Sequence, residues 1–357
     1  MPAHANNAPE IVVTAVESNT PVGLTMEQSA AAIRAGIAGF REWSSYMPIA
    51  REFDVGDEPI KVASHGLVAS LDWDRLFDLV FDPLTKLVED SGLGRKELAS
   101  GGLYFALPAN DRVIAKCNLR RHFLDQVNER LALPKTKEFL GVQTGSTGVY
   151  VLIERAMEKM RAGEMDFCLI AAVDSYLLEG RLPIYDEQWR LKTDRNPAGY
   201  IPGEAGVVLL LETEVFARQR NAPVLLRIDG VGSGKEPNPV TGAKTSTGHG
   251  LSQAITSLAE ITGYDQPWQW VMSDLNGERY KAYEWGVALP RLNALIHDKH
   301  EFSYIAECIG DTGAAVAAIQ VGCASEAFKR GYAPAEAALL FAGNDAGNRC
   351  ALSVSRK

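Results

Sequence analysis

A nucleophile, a general base or a metal ligand set in this chain has few places to come from. Five cysteines (Cys117, Cys168, Cys308, Cys323, Cys350) and six histidines (His4, His65, His122, His249, His297, His300) are scattered over 357 residues. The cysteines are odd in number and far apart, with no Cys-x-x-Cys pair. No Cys/His grouping has ligand spacing, so neither a disulfide framework nor a metal centre is expected. Two turns of small residues are more informative. Gly145-Ser146-Thr147-Gly148 falls over Gly310-Asp311-Thr312-Gly313 when the second half is laid under the first with an offset of 165. Each quartet follows an apolar run and opens a stretch of helical spacing. Each stretch ends near a glycine, Gly163 or Gly331, before another apolar run. Two such units predict a duplicated architecture whose pseudo-twofold axis brings two helix N-termini toward a common point. Ser and Asp are also among the best N-cap residues, so Ser146 and Asp311 could simply satisfy orphan amides there.

The elements that must position these turns are legible from hydropathy. IVVTAV (from Ile11), EFLGVQT (from Glu138), MDFCLIAAV (from Met165), GVVLLLE (from Gly206), VLLRIDGV (from Val224), FSYIAECI (from Phe302) and ALLFAG (from Ala338) are short, apolar and largely unalternating. They read as strands buried on both faces. Helical spacing runs through Met26 to Ala35, Trp73 to Ser91, Thr147 to Ala162, Leu251 to Ile261 and Thr312 to Lys329. Strand and helix alternate, which predicts an α/β protein with covered sheets. The polar stretch from Glu214 to Pro223 is the best place for a boundary between halves.

Composition narrows the function. The chain is 46% apolar and 23% charged, ordinary globular material long enough to fold without a disulfide or metal staple. Lys and Arg number 36 against 45 Asp and Glu, a net charge of -9, so the basic surplus of a nucleic-acid or anionic-membrane binder is missing. MPAHANNAPE lacks the basic and apolar regions of a signal peptide, and no apolar run approaches the roughly 18 residues of a membrane span. The expectation is a cytoplasmic protein with reduced thiols.

Several segments together resemble the β-ketoacyl synthase branch of the thiolase superfamily. IVVTAVESNTPVGL is similar to that family's opening strand and Thr-Pro-x-Gly turn, and IRAGIAGF to the segment after it. VQTGSTGVYVLIERAMEKMRAGEMDFCLIAAVDS resembles the block in which a Thr-Ala-Cys triplet starts the nucleophile-bearing helix. TDRNPAGYIPGEAGVVLLLE resembles the Gly-Glu-rich turn and strand, the most specific match. VLLRIDGVGSG resembles the strand opening the second half, and GNDAGNRCALSV the closing Gly-rich loop and strand. The resemblance implies a thiolase-like duplicated five-layer α-β-α-β-α sandwich, with one half over residues 1–220 including cap segments and the other over 221–357. It also implies a homodimer or heterodimer, and acyl-CoA or an acyl carrier protein as partner.

The same resemblance assigns site positions. The acyl-accepting Cys corresponds to Ser146, the first family His to Asn276 in SDLNGERYKAYEWG, and the second to Asp311 in CIGDTGAAVAA. Asn344 stands where the family often has a Phe gate, and no Cys or His of this chain falls on a catalytic position. Condensation needs a thiolate that holds its acyl group as a thioester, together with donors for the developing oxyanion. A serine hydroxyl has a far higher pKa and forms a poorer electrophile, so decarboxylative condensation is not expected. Two readings stay open: a Ser-based acyltransferase or hydrolase, or a non-catalytic partner subunit, scaffold or adaptor. In the first, Ser146 is the nucleophile, Asp311 the base, and Asn276 with a backbone amide the oxyanion donors. In the second, Ser146 and Asp311 cap helices and Asn276-Gly277 is a turn. Glu204 reads as a buried carboxylate tying loops together, His249 as bordering a helix, and Cys168 and Cys308 as core thiols within strands. Lys244 and Lys281 are candidates for guiding a phosphopantetheine, though isolated lysines are usually solvated. No cofactor is expected.

Overall fold

A computed structural model describes residues 9–49, 59–131, 134–264 and 266–357. Most of MPAHANNAPE, with His4, lies outside the described residues. The first half runs through β1 (Ile11–Asn19), α1 (Met26–Arg34), β2 (Phe40–Glu42), β3 (Lys61–Ala63), α2 (Asp74–Ser91) and α3 (Arg95–Ser100). It continues with β4 (Gly102–Ala106), α4 (Leu119–Gln126), β5 (Glu138–Val142), α5 (Gly148–Arg161), β6 (Phe167–Ser175), α6 (Arg181–Glu187), β7 (Glu204–Thr213) and α7 (Glu214–Gln219). The second half comprises β8 (Leu226–Lys235), α8 (His249–Thr262), β9 (Trp268–Ser273), α9 (Arg279–Ala288), β10 (Ile296–Tyr304), α10 (Ala306–Ile309), α11 (Val316–Arg330), β11 (Ala337–Gly343) and β12 (Asn348–Ser355).

Strand pairing exposes the duplication. In the first half the order is β5-β4-β6-β7-β1, and in the second β10-β9-β11-β12-β8. In both, the three outer strands are parallel and the remaining contacts antiparallel. The two sheets join where Ile11 to Val13 of β1 meet Leu226 to Ile228 of β8, so the hydrogen-bonded sheet is ten strands wide. β2 and β3 form a separate hairpin.

Strand periodicity then decides the layers. Along β6, Cys168, Ile170 and Ala172 point to a core shared with α5 and α11, while Leu169, Ala171 and Val173 pack with Leu76, Leu79 and Val80 of α2. Along β11, Ala338, Leu340 and Ala342 face that same central layer, whereas Leu339 and Phe341 pack with Leu251, Ile255 and Leu258 of α8. The result is outer helices, sheet, central helices, sheet, outer helices. A strand buried on both faces cannot alternate in polarity, which is why the runs look uniformly apolar. The central helices touch through a buried bond from Tyr150 Oη to Gln320 Oε1 (2.9 Å).

Two expectations are corrected. FSYIAECI is not one strand: β10 ends at Tyr304 and Cys308 sits in α10, because a short apolar run has no length to separate helix from strand. The polar stretch from Glu214, between β7 and β8, holds the short helix α7, capped by Thr213 Oγ1, which accepts from Phe216 N, and this leaves the expected boundary untouched. The register of the repeat also moves by three residues. Gly145 corresponds to Gly313 and Ser146 to Ala314, so Asp311 precedes the turn that matches the Ser146 turn. Both Gly145 (φ +59°) and Gly313 (φ +49°) open a 3₁₀ turn in the left-handed region, which costs glycine less than any other residue. Among the described residues no helix is long and apolar enough to cross a membrane.

Candidate functional site

β5 delivers the chain to Thr144, and the left-handed Gly145 turns it so that Gly145–Thr147 forms the 3₁₀ entry to α5. A Cβ on Gly145 would stand 3.2 Å from Ala109 Cβ, so space as well as φ favours glycine. Ser146, next in line, is half-buried, and its Oγ donates to the carbonyl of Gly343 at the end of β11 (2.8 Å). The N-cap role expected of Ser146 is therefore not the one it takes: no side chain caps the turn or the helix.

The chain around Gly343 is held from the second half. Asp274 Oδ2 accepts from Gly343 N (3.0 Å) and from Lys281 Nζ (2.9 Å), and the Asp274 carbonyl accepts from the same ammonium (3.1 Å). Burial works against charge on Lys281, but Asp274, Asp311 and Glu278 outweigh it and raise its pKa. Lys281 is thus an internal ion-pair member, contrary to the expected solvated lysine, while Lys244 is exposed. Asn344, adjoining Gly343, donates through Nδ2 to the Thr144 carbonyl (3.0 Å) and to Thr147 Oγ1 (3.1 Å). Its counterpart is Asp174 near the end of β6, whose Oδ2 accepts from Ala314 N (3.0 Å) in the other 3₁₀ turn. Each half therefore pins the small-residue turn of the other. The sequence signal was the repeat itself, AAVDS against FAGND, which becomes visible once strand ends are aligned.

Asn276 and Asp311 meet directly. Asn276 Nδ2 donates to Asp311 Oδ2 (2.5 Å) and to Glu278 Oε2 (3.0 Å), which uses both amide protons. Its Oδ1 accepts from Glu278 N (3.1 Å), the Asx turn expected before Gly277. Asp311 Oδ1 accepts from Gly313 N (2.8 Å), an Asx turn just before the N-cap Thr312, and from Tyr176 Oη (3.4 Å). Burial, then the nearby Asp311, raise the Tyr176 pKa and keep that phenol a donor. The backbone of Asp311 is fixed by the Gly-Glu-rich turn: its amide donates to Ile201 O (2.8 Å) and its carbonyl accepts from Gly203 N (2.8 Å).

Glu204 ties loops as expected. Its Oε1 accepts from His65 N (2.7 Å) and Arg75 Nη2 (2.6 Å), and its Oε2 from Arg75 Nε (2.7 Å) and Ser175 Oγ (2.6 Å). Both partners of the ion pair are fully buried. His249 is the first residue of α8 and is exposed, and Cys168 is core.

Ser146, Asn276 and Asp311 line one cleft with Lys281, Ile305 and Val316. Its free volume is about 10 Å³, room for about one water. Within it the acid–base pieces are not coupled. The Ser146 proton is directed to Gly343, the Asp311 oxygens to Asn276, Gly313 and Tyr176, and the Asn276 amide to two carboxylates. Among the described residues no cluster of His, Cys, Asp and Glu has the arrangement of a metal site.

Neither a protein-family model nor a curated protein sequence matches this chain. Solved structures do. The ishigamide ketosynthase/chain length factor superposes with a TM-score of 0.79 at 16% identity, covering 98% of this chain and 100% of the other. The ketosynthase from module 6 of the bacillaene synthase from Bacillus subtilis 168 gives 0.81 at 14% identity, over 98% and 72%. A type II acyl-carrier protein in complex with its ketosynthase bound to the hexaketide gives 0.78 at 13%, over 98% and 100%. The fold is that of the ketosynthases. At these identities the likeness extends to the fold alone. The Ser146 turn, the Asn276–Asp311 contact and the closing strand pair are features of this chain on a ketosynthase fold.

Proposed function

We propose that this protein is a ketosynthase-fold partner subunit, with thiolase-like halves over 1–220 and 221–357, that performs no acyl transfer through Ser146 and works by pairing with an acyl-processing partner. The observation that carries the reading is the Asn276 amide, whose two protons are bound by Asp311 and Glu278. An oxyanion needs donors left open at the reacting centre, and a serine nucleophile needs a base within hydrogen-bond reach. Here the candidate donor and the candidate base are bonded to each other. A carboxylate in that place would also repel a developing oxyanion. Two of the similar structures are a ketosynthase/chain length factor and a ketosynthase with its carrier protein, which makes a homodimer, or a heterodimer with a Cys-bearing ketosynthase, the natural assembly.

The test is intact-mass measurement after incubation with acyl-CoA and acyl carrier protein thioesters of several chain lengths, for the wild type and Ser146→Ala. Neither protein should gain an acyl mass, and the wild type should form a defined complex with a Cys-bearing ketosynthase of the same organism and alter its rate or product length. A Ser146-dependent acyl adduct would overturn the reading in favour of the Ser-based acyltransferase or hydrolase.

A further inference from the structure

A second cleft in the first half shares no lining residue with the one at Ser146. Its volume is about 480 Å³, between Leu71–Trp73, Arg112–Lys116 and Leu178–Gly180. The walls divide by chemistry. Leu71, Trp73, Val113 and Leu178 supply apolar surface, and Leu71 is 40% exposed and so open to a ligand. Arg112 and Lys116 come from a single turn of chain that also lines the cleft.

The charges are asymmetric in availability. Lys116 Nζ has no hydrogen-bond or ion-pair partner among the described residues. Arg112 is held by Glu187, in a pair whose side chains are 56% and 49% exposed. Such a solvent-screened pair is weak and yields readily to a competing anion. Of the two acids at the cleft, Asp72 accepts through Oδ1 from Ser70 Oγ (2.5 Å) and Asp74 N (2.9 Å), and Glu179 sits exposed at the rim.

We infer that this cleft binds an amphipathic carboxylate, its apolar body against Trp73, Leu71, Val113 and Leu178 and its carboxylate between Arg112 and Lys116. The volume falls within the range of about 300–1,000 Å³ common for small-molecule sites. The aromatic and aliphatic wall supplies burial, and the two cations fix orientation. Binding here is independent of what Ser146 does.

Calorimetric titration of the full chain with octanoate tests it. Octanoate should bind saturably at one site per chain. The double variant Arg112→Glu/Lys116→Glu, changed at exposed positions and checked for an unaltered melting temperature, should bind at least tenfold more weakly. Trp73→Phe, which keeps an aromatic wall, should lose less than Trp73→Ala. Octylamine, with the same body and the opposite charge, should show no saturable heat. Absence of saturable octanoate binding, equal affinity in the charge-reversed variant, or octylamine binding as tightly as octanoate would each overturn the inference.

Discussion

The hydroxyl of Ser146 donates to the carbonyl of Gly343, 197 residues further along the chain, at 2.8 Å. This bond spans the two halves and directs the only proton a serine nucleophile could give up to a backbone oxygen. Gly343 is in turn held by Asp274, and Asp274 by Lys281. The turn that begins α5 is thus part of a cross-brace.

Removal of that bond should be mild. Ser146→Ala takes away one neutral hydrogen bond at a half-buried site, and the Gly343 carbonyl can still be reached by water. A loss of about 0.5–1.5 kcal/mol is expected, read by urea denaturation, with no change in any activity of the complex.

Restoring a thiol should not restore condensation. Ser146→Cys would place a thiolate-capable group at a helix start, where its pKa falls. Positions 276 and 311 would still be Asn and Asp, bonded to each other. With a malonyl thioester and an acyl-primed Ser146→Cys protein, mass spectrometry should detect no condensed product.

Asn276 is predicted to matter for stability. Asn276→Ala removes the donor shared by Asp311 Oδ2 and Glu278 Oε2 and leaves two carboxylates facing one another. The cost should be about 1–3 kcal/mol, read by chemical denaturation, and larger at low ionic strength, where the repulsion is less screened. Equal stability in the variant would show that the contact is dispensable.

Glu204 and Arg75 should be the most sensitive pair in the first half. Each is buried, and the contact is bidentate. Breaking it from one side, by Arg75→Met or Glu204→Leu, leaves an uncompensated buried charge worth about 3–5 kcal/mol. The double replacement should recover part of that loss, which a double-mutant cycle measures.

His65 sets one part of the pH dependence. Burial lowers its pKa below the ordinary 6.5, with Arg75 and Arg41 acting in the same direction and Glu204 and Asp82 against. Neither ring nitrogen has a partner among the described residues. Because the folded pKa is the lower one, the unfolded chain binds more protons below about 6.5, and stability falls as pH drops through that window. His65→Phe should flatten the slope of unfolding free energy between pH 6.5 and the folded pKa. An unchanged slope would remove His65 as its source.

Local sequence determined the elements of this protein. Most of the apolar runs are strands of the covered sheets, with FSYIAECI, divided between the largely exposed β10 and α10, as the exception, and the helical stretches between them are their covers. The family-like segments carried the order of those elements into a duplicated sandwich, and the absence of Cys and His at the matching positions pointed away from condensing chemistry. What Ser146, Asn276 and Asp311 do was not legible, because each could cap a helix, turn a chain or act on a substrate, and local residue type is the same in all three. Only the tertiary structure supplies their partners. It set Gly343 beside Ser146 and Glu278 with Asp311 around Asn276, and the Ser146–Gly343 and Asn276–Asp311 contacts join residues 197 and 35 positions apart. Hydrogen-bond donors are few and directional, so their partners are decided by the fold and not by local residue type.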